Sequence, residues 1–250
     1  MDDILKNWTR LSLTEDEGER VYLENDPVED EKKFVLAARF LTCRVLNVGA
    51  IGKTFKPLWK ARDGFKVRDV GNHTMLFVFE GESDAERVLA MEPWTYDKHL
   101  ILLKWYDGKC PAHTLHFFTV KFWLQIHGLP VNRLIFETAI ELGKSVRVVS
   151  RSEHRDQVIG GDFLRVQVSI DVSKPLCRGR KVLLGQNRAN WVSFQYEKLP
   201  NFCYWCGMVS HDNKDCKIWL ASKGTLSLDK QGYRAWLCAP PNTMGRKNYT

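Results

Sequence analysis

A chain of 250 residues, 44% apolar and 27% charged, is long enough to bury one large or two small cores and lacks the composition of a disordered protein. No run of about 18 uncharged apolar residues occurs, so no spanning helix is expected, and the opening MDDILKNWTR is neither a secretory signal nor an Arg-rich transit peptide. The net charge of +7 is unevenly placed: residues 1–32 hold four Lys/Arg against eleven Asp/Glu, and the remainder carries a net +14, which suits a polyanionic partner.

In chain order, residues 1–32 read as an acidic, solvated and partly helical tail, with masking of the basic body as a second use. KFVLAARFLT (33–42) is short and apolar enough for a buried strand. NVGAIGKTFKPLWKA (47–61) spaces Ile51, Phe55, Leu58 and Trp59 as a helix would, with Asn47 as its cap and Pro57 set to bend or shorten it. FKVRDV (65–70) and HTMLFVFE (73–80) flank a Gly-Asn turn as two strands. Ser83 and Glu86 form a capping box that opens a helix carrying Ala85, Val88 and Leu89, and HLILLKWY (99–106) is a further strand. The order β-α-β-β-α-β is the ferredoxin-like arrangement of many RNA-recognition motifs (RRMs), which gives an RRM-like α+β module over 33–109. Met75, Phe77 and Phe79 share one face and Leu76 and Val78 the other; neither face matches the base-stacking signature, Phe77 and Phe79 read as core, and protein–protein use of the module stays open.

A second α/β region covers 110–199. HFFTVKFWLQIHGLP (116–130) alternates strictly, with Phe118, Val120, Phe122, Leu124 and Ile126 on one face. The other face carries Phe117, Lys121, Trp123 and Gln125; it suits base stacking or packing against the first module, and both uses stay open. Asn132 is expected to cap a helix with Ile135, Phe136, Ala139 and Ile140 that Gly143 ends. FLRVQVSIDV (163–172), GRKVLLG (179–185) and WVSFQYEKL (191–199) read as strands. Arg165, Lys174, Arg178, Arg180, Lys181 and Arg188 make the densest basic region and are candidate phosphate contacts.

CYWCGMVSHDNKDC follows, spaced C-x2-C-x4-H-x4-C, and residues 200–217 form the third unit ahead of a mixed C-terminal segment, 218–250. Zinc takes four ligands in a tetrahedron, and Cys203, Cys206, His211 and Cys216 supply three thiolates and an imidazole. Gly207 gives the turn after the second cysteine its backbone freedom. With four protein ligands no position remains for a catalytic water; such an ion organises a fold. Seven cysteines, three of them clustered beside a histidine, argue against a disulfide framework and for a reducing compartment, nuclear or cytoplasmic. Tyr204 and Trp205 are candidate stacking rings, with Lys214 and Lys217 for phosphates, whereas zinc that merely ties down the C-terminal segment is the structural alternative.

The cluster resembles the CCHC zinc knuckle of retroviral and retrotransposon gag-like proteins at Cys203, Tyr204, Cys206, Gly207, His211, Asp215 and Cys216, with Ser210 where that family usually has glycine. FWLQIHGLP, FLRVQVSIDVSKPLCRG and FQYEKLPNFCYWCG look like the plant gag-like family in which an uncharacterised domain precedes the knuckle. The resemblance covers residues 33 to about 240 and implies zinc and nucleic-acid binding rather than catalysis.

Rival chemistry is thin. NVGAIGKT (47–54) nearly spells a phosphate-cradling loop, but Asn47 replaces its first glycine and no strand ends in a suitable aspartate. Cys110, His113 and His116 read as linker residues, His73, His99 and His154 as isolated, and Cys43, Cys177 and Cys238 as buried or incidental thiols. The expectation is a non-enzymatic, zinc-dependent protein for single-stranded RNA or DNA, with no membrane and no small-molecule substrate and with self-association open; an interaction adaptor is the alternative.

Overall fold

The computed structural model describes Thr14 and residues 33–149, 161–184 and 188–240. The rest of the acidic leader, His154, Gly185 at the end of one expected strand and the tail beyond 240 lie outside the described residues. The chain is a mixed α/β protein with two antiparallel sheets and a C-terminal Cys/His cluster. No described helix is long and apolar enough to cross a membrane.

The first sheet is built from β1 (Phe34–Phe40), β2 (Phe65–Asp69), β3 (Thr74–Phe79), β4 (Trp94–Tyr96) and β5 (His99–Trp105) in the order β2-β3-β1-β5-β4. Two helices, α1 (Val48–Trp59) and α2 (Glu82–Ala90), contribute Ile51, Phe55, Trp59, Ala85 and Val88 to one buried cluster with Met75, Phe77 and Phe79. Asn47 caps α1 as its side chain suggests, accepting from the Ala50 N–H at 2.9 Å. That bond uses a helix-start donor that a phosphate-cradling loop would leave open. Pro57 sits in the last turn of α1, which ends at Lys60 in a left-handed conformation.

Helix α2 departs from expectation. It begins at Glu82 after an extended Gly81, and no side chain caps it, so the Ser83/Glu86 box is not used. Asp84 is instead turned inward, where it accepts from the Arg62 N–H at 2.7 Å and from Arg87 at 2.8 Å. The Arg87 hydrogen bond, with burial opposing it, holds the Asp84 carboxyl below the usual carboxylate range.

Strand β5 is buried on both faces. Ile101 and Leu103 face the helices of the first sheet, whereas Leu100 and Leu102 join the core of the second. This explains why HLILLKWY reads as a continuous apolar run rather than an alternating one.

The second sheet comprises β6 (Thr119–His127), β7 (Val148–Val149), β8 (Leu164–Asp171), β9 (Gly179–Leu184) and β10 (Arg188–Tyr196), ordered β7-β8-β6-β10-β9. Val120, Phe122, Leu124 and Ile126 of β6 are buried as the alternation requires, while Phe118, outside the strand, is 58% exposed. Helix α3 (Phe136–Val146) packs on β8. Asn132 does not cap it; that residue lies in a 3-10 turn, and Ile135 precedes the helix without a side-chain cap. Gly143 does not end it either. It lies inside α3, where an added Cβ would come within 2.8 Å of Val149 and 3.2 Å of Val166, so it serves close helix–sheet packing.

The other face of β6 meets the first module. Arg165 lies over the Trp123 ring at 3.7 Å and makes two 2.7 Å hydrogen bonds to Glu197, which also accepts from Gln125 at 2.9 Å. Burial works against the Glu197 charge, but the Arg165 and Gln125 hydrogen bonds outweigh it and keep the carboxyl below its usual range. Ala90, Met91, Glu92 and Pro93 line a small cavity together with Trp123, Arg165 and Glu197. This face therefore borders the first module across that cavity.

Glu92 is 5% exposed and its Oε1 has no hydrogen-bond partner. Burial pushes its carboxyl up to about 7, against the pull of the Lys121 ammonium and the Leu103 and Lys121 N–H groups. An acid whose folded pKa is raised holds its proton more tightly when folded, so stability falls as pH rises from about 4.5 through 7. Glu92→Gln removes this loss. Thermal or urea melts at pH 8 should show the variant more stable by on the order of 3 kcal/mol, with the gap closing near pH 4.5.

Candidate metal centre

The cysteine cluster is assembled by local backbone bonds. The Cys203 N–H donates to the Met208 carbonyl at 2.8 Å, and the Gly207 N–H donates back to the Cys203 carbonyl at 2.8 Å, closing the turn that carries Cys203 and Cys206. Gly207 has a φ of +77°, and an added Cβ there would lie 2.3 Å from the Tyr233 ring. The position therefore demands glycine for conformation and for space. Asn213 ties down the far side by accepting from the Tyr204 N–H at 2.6 Å. Cys216 precedes helix α4 (Lys217–Ala221), which directs the Ile218 and Trp219 N–H groups at its sulfur.

The ligand atoms of Cys203, Cys206, His211 and Cys216 lie within 4.8 Å of one another, and among the described residues no other group of three or more such side chains converges. Cys110, His113 and His116 are thus not brought together. A tetrahedral zinc with bonds of about 2.0–2.3 Å needs its ligand atoms about 3.5–4 Å apart. His211 Nε2 already stands 3.3 Å from the Cys206 sulfur. The donor set fits: Cys203, Cys206 and Cys216 would hold zinc through sulfur and His211 through Nε2, and the ion would fix the turn to the start of α4.

Without a cation the site is poorly matched to its own protons. Burial pushes the Cys203 thiol up to about 12 and raises that of Cys206. Burial also opposes the Cys216 charge, but the Trp219 N–H, His211, Cys203 and the Ile218 N–H outweigh it and bring that thiol to about 7. A dication supplies the charge that removes the remaining protons.

Ser210, which stands where the resembling knuckles have glycine, has a use here. Its Oγ lies 3.3 Å from His211 Nδ1, the ring nitrogen facing away from the cluster. Such outer-shell contacts orient a ligating imidazole. Ser210→Ala is expected to weaken metal retention roughly tenfold, read by competition with a chromogenic chelator, with the fold intact.

The candidate nucleic-acid residues divide by placement. Trp205 is only 8% exposed and stacks on Trp219 at 5.1 Å and 14°, so its ring is a post inside the knuckle and not an outward platform. Together with Cys203, Cys216, Trp219 and Leu226 it gives the knuckle a small core of its own. Tyr204 is half-buried beside Phe202, with ring centroids 5.0 Å apart. Lys174, Lys181, Lys214 and Lys217 are exposed. Arg178 is exposed but donates to the Gly232 carbonyl at 2.8 Å and lies over Tyr233. Arg180 pins β9 to α3 through the Ser145 carbonyl at 2.7 Å. Arg165 is held by Glu197, and Arg188 opens β10 opposite Leu184. Of the remaining cysteines, Cys43 and Cys238 are exposed and Cys177 is half-buried.

The knuckle is seated on the second sheet. Phe202, Val209 and Leu237 enter that sheet's core, the Leu176 N–H donates to the Gly207 carbonyl at 2.9 Å, and the Ala239 N–H donates to the Tyr196 carbonyl at 2.9 Å. Sequence reading missed Tyr233 and Trp219, both of which brace the knuckle from downstream. The only signal for either was its place in an otherwise featureless aromatic-bearing segment.

Comparison with known proteins agrees with this layout. Residues 28–112 match the Domain of unknown function (DUF4283), and residues 170–218 match a zinc knuckle family of CCHC type. An uncharacterized protein of Arabidopsis thaliana, At4g02000, is 24% identical over 134 residues, which cover 53% of this chain and 42% of that protein. The chain thus spans less than half the length of that curated relative. No solved structure matches. The chain carries DUF4283 followed by a CCHC-type zinc knuckle, a domain arrangement typical of plant gag-like proteins.

Proposed function

We propose that the protein is a zinc-dependent, non-enzymatic binder of single-stranded RNA or DNA with little sequence specificity, gag-like and derived from a retrotransposon. The observation that carries this reading is the convergence of Cys203, Cys206, His211 and Cys216 in a knuckle bordered by Tyr204 and the exposed lysines Lys214 and Lys217. A ring on an ordered turn stacks on any base, and flanking cations hold phosphates. The net charge of +14 beyond residue 32 favours the same partner.

The order β2-β3-β1-β5 with α1 and α2 on one face supports an RRM-like reading of the first module. Its sheet lacks the usual stacking platform: Phe77 and Phe79 face the helices, and Leu100 and Leu102 on the opposite face are covered by the second core. Binding is therefore assigned to the knuckle side. The burial of Trp205 favours a second reading, an interaction adaptor whose knuckle is structural.

A salt titration of the zinc-loaded protein against single-stranded RNA, single-stranded DNA and duplex tests the proposal. Retention of single strands should fall steeply with salt, exceed that of duplex and vanish on chelation. Retention indifferent to chelation, or unchanged in a Tyr204→Ala variant that keeps its zinc, would favour the adaptor.

A further inference from the structure

A cleft of about 990 Å³ runs from the first module to the knuckle. Lys98 and Trp94 line it from the β4–β5 hairpin, Lys198 and Asn201 from the segment leading into the knuckle, and Tyr204 and Lys214 from the knuckle itself. The walls are fixed to one another. The Asn201 N–H donates to the Lys98 carbonyl at 2.9 Å, and Asn213, also lining the cleft, anchors Tyr204. Trp94 is held by its Nε1 hydrogen bond to the Val88 carbonyl at 2.7 Å.

Lys98, Lys198 and Lys214 are exposed, and none of them makes an ion pair with a described residue. Arg44 also borders the cleft but is paired with Asp97. Asp212 is the one carboxylate on the wall. Three unpaired ammonium groups strung along a groove that also offers flat rings and side-chain amides make a surface for alternating anionic and planar groups. Asp212 opposes any polyanion, but a carboxylate-rich peptide would leave the Trp94 and Tyr204 rings unused, so the groove favours a polynucleotide.

We propose that this cleft is a composite single-strand site, in which Lys98 and Lys198 hold backbone phosphates on either side of a base stacked on Tyr204. The first module would then be a direct contributor to binding and not only a support. This rests on the nucleic-acid reading above and extends it to residues that lie outside the knuckle.

The test uses the full chain, zinc-loaded, with fluorescein-labelled oligouridylate and oligothymidylate and with labelled polyglutamate as the rival. Lys98→Gln with Lys198→Gln should weaken both oligonucleotides roughly tenfold and reduce the log–log salt slope by about 1.4, since each phosphate contact to a single strand contributes about 0.7. Zinc content and the thermal midpoint should match the parent. As a variant-free measurement, 4-thiouridine in the oligomer should crosslink to peptides spanning residues 94–98 and 198–204. Unchanged affinity and slope, with crosslinks confined to residues 203–217 and Tyr204→Ala still weakening the complex, would overturn the composite site and leave the knuckle reading standing. Failure of the parent protein to hold either oligonucleotide would overturn both. Tight polyglutamate binding that displaces the oligomers would make the cleft an acidic-polypeptide site and overturn the proposal.

Discussion

Cys206→Ser is expected to lower bound zinc from one equivalent to a small fraction of one, and to unfold the knuckle without unfolding the sheets. The magnitude follows from the local economy of contacts. The buried group around the cluster consists of Cys203, Trp205 and Cys216, with Cys206, Trp219 and Leu226 beside it, and its two tryptophans come from far-apart ends of the knuckle, Trp205 between the first two ligands and Trp219 after the last. Structural zinc in small domains contributes about 10–16 kcal/mol of apparent binding energy, far more than one indole stack supplies. Loss of a thiolate should therefore separate Trp205 from Trp219, now 5.1 Å apart. The near-ultraviolet circular dichroism of that pair should collapse, while the far-ultraviolet signal of the sheets persists. Metal analysis checks the first half and the dichroism the second. A protein that kept its tryptophan signal after chelation would show that packing alone shapes the turn.

Arg165→Met should cost about 3–5 kcal/mol of stability, the usual result of stripping one partner from a buried ion pair. Glu197, 9% exposed in the parent protein, would keep only Gln125 as a side-chain hydrogen-bond partner, and Trp123 would lose the cation on its face. Arg165→Met combined with Glu197→Leu should recover most of the loss, because an apolar pair of similar volume requires no desolvation of charge. Urea melts of the two variants measure the difference. The same variants separate a structural arginine from a phosphate contact. If Arg165 only braces the sheets, the double variant keeps the salt dependence of single-strand binding; a phosphate contact would reduce the slope by about 0.7.

Arg165 shows where reading the sequence succeeds and where it stops. Its charge is visible in the chain, and so is the basic density around it, but its partner lies 32 residues away at the end of another strand. Periodicity locates strands because alternation is local, which is why β6 and β8 were legible. It misses β4, three residues long, because Asp97 and Lys98 close the β4–β5 hairpin with φ of +48° and +64° and carry none of the usual glycine signal for such a turn. The capping motif at Ser83 failed for a related reason: Asp84 found a tertiary partner in the Arg62 backbone, and the helix began two residues earlier, with Gly81 in the cap position. The metal ligands were legible because all four lie within fourteen residues, so their chemistry needs no long-range information. Trp205 was not, since what covers it is a helix that the cluster itself starts.

The two-faced strand β5 bears on how the protein can be divided. The DUF4283 match ends at residue 112, yet Leu100 and Leu102 are 0% and 1% exposed only because the following sheet lies on them. A fragment cut at that boundary would present a bare aliphatic stripe to water and should be adhesive, self-associating or chaperone-bound. The inherited unit of sequence is shorter here than the unit that can live alone.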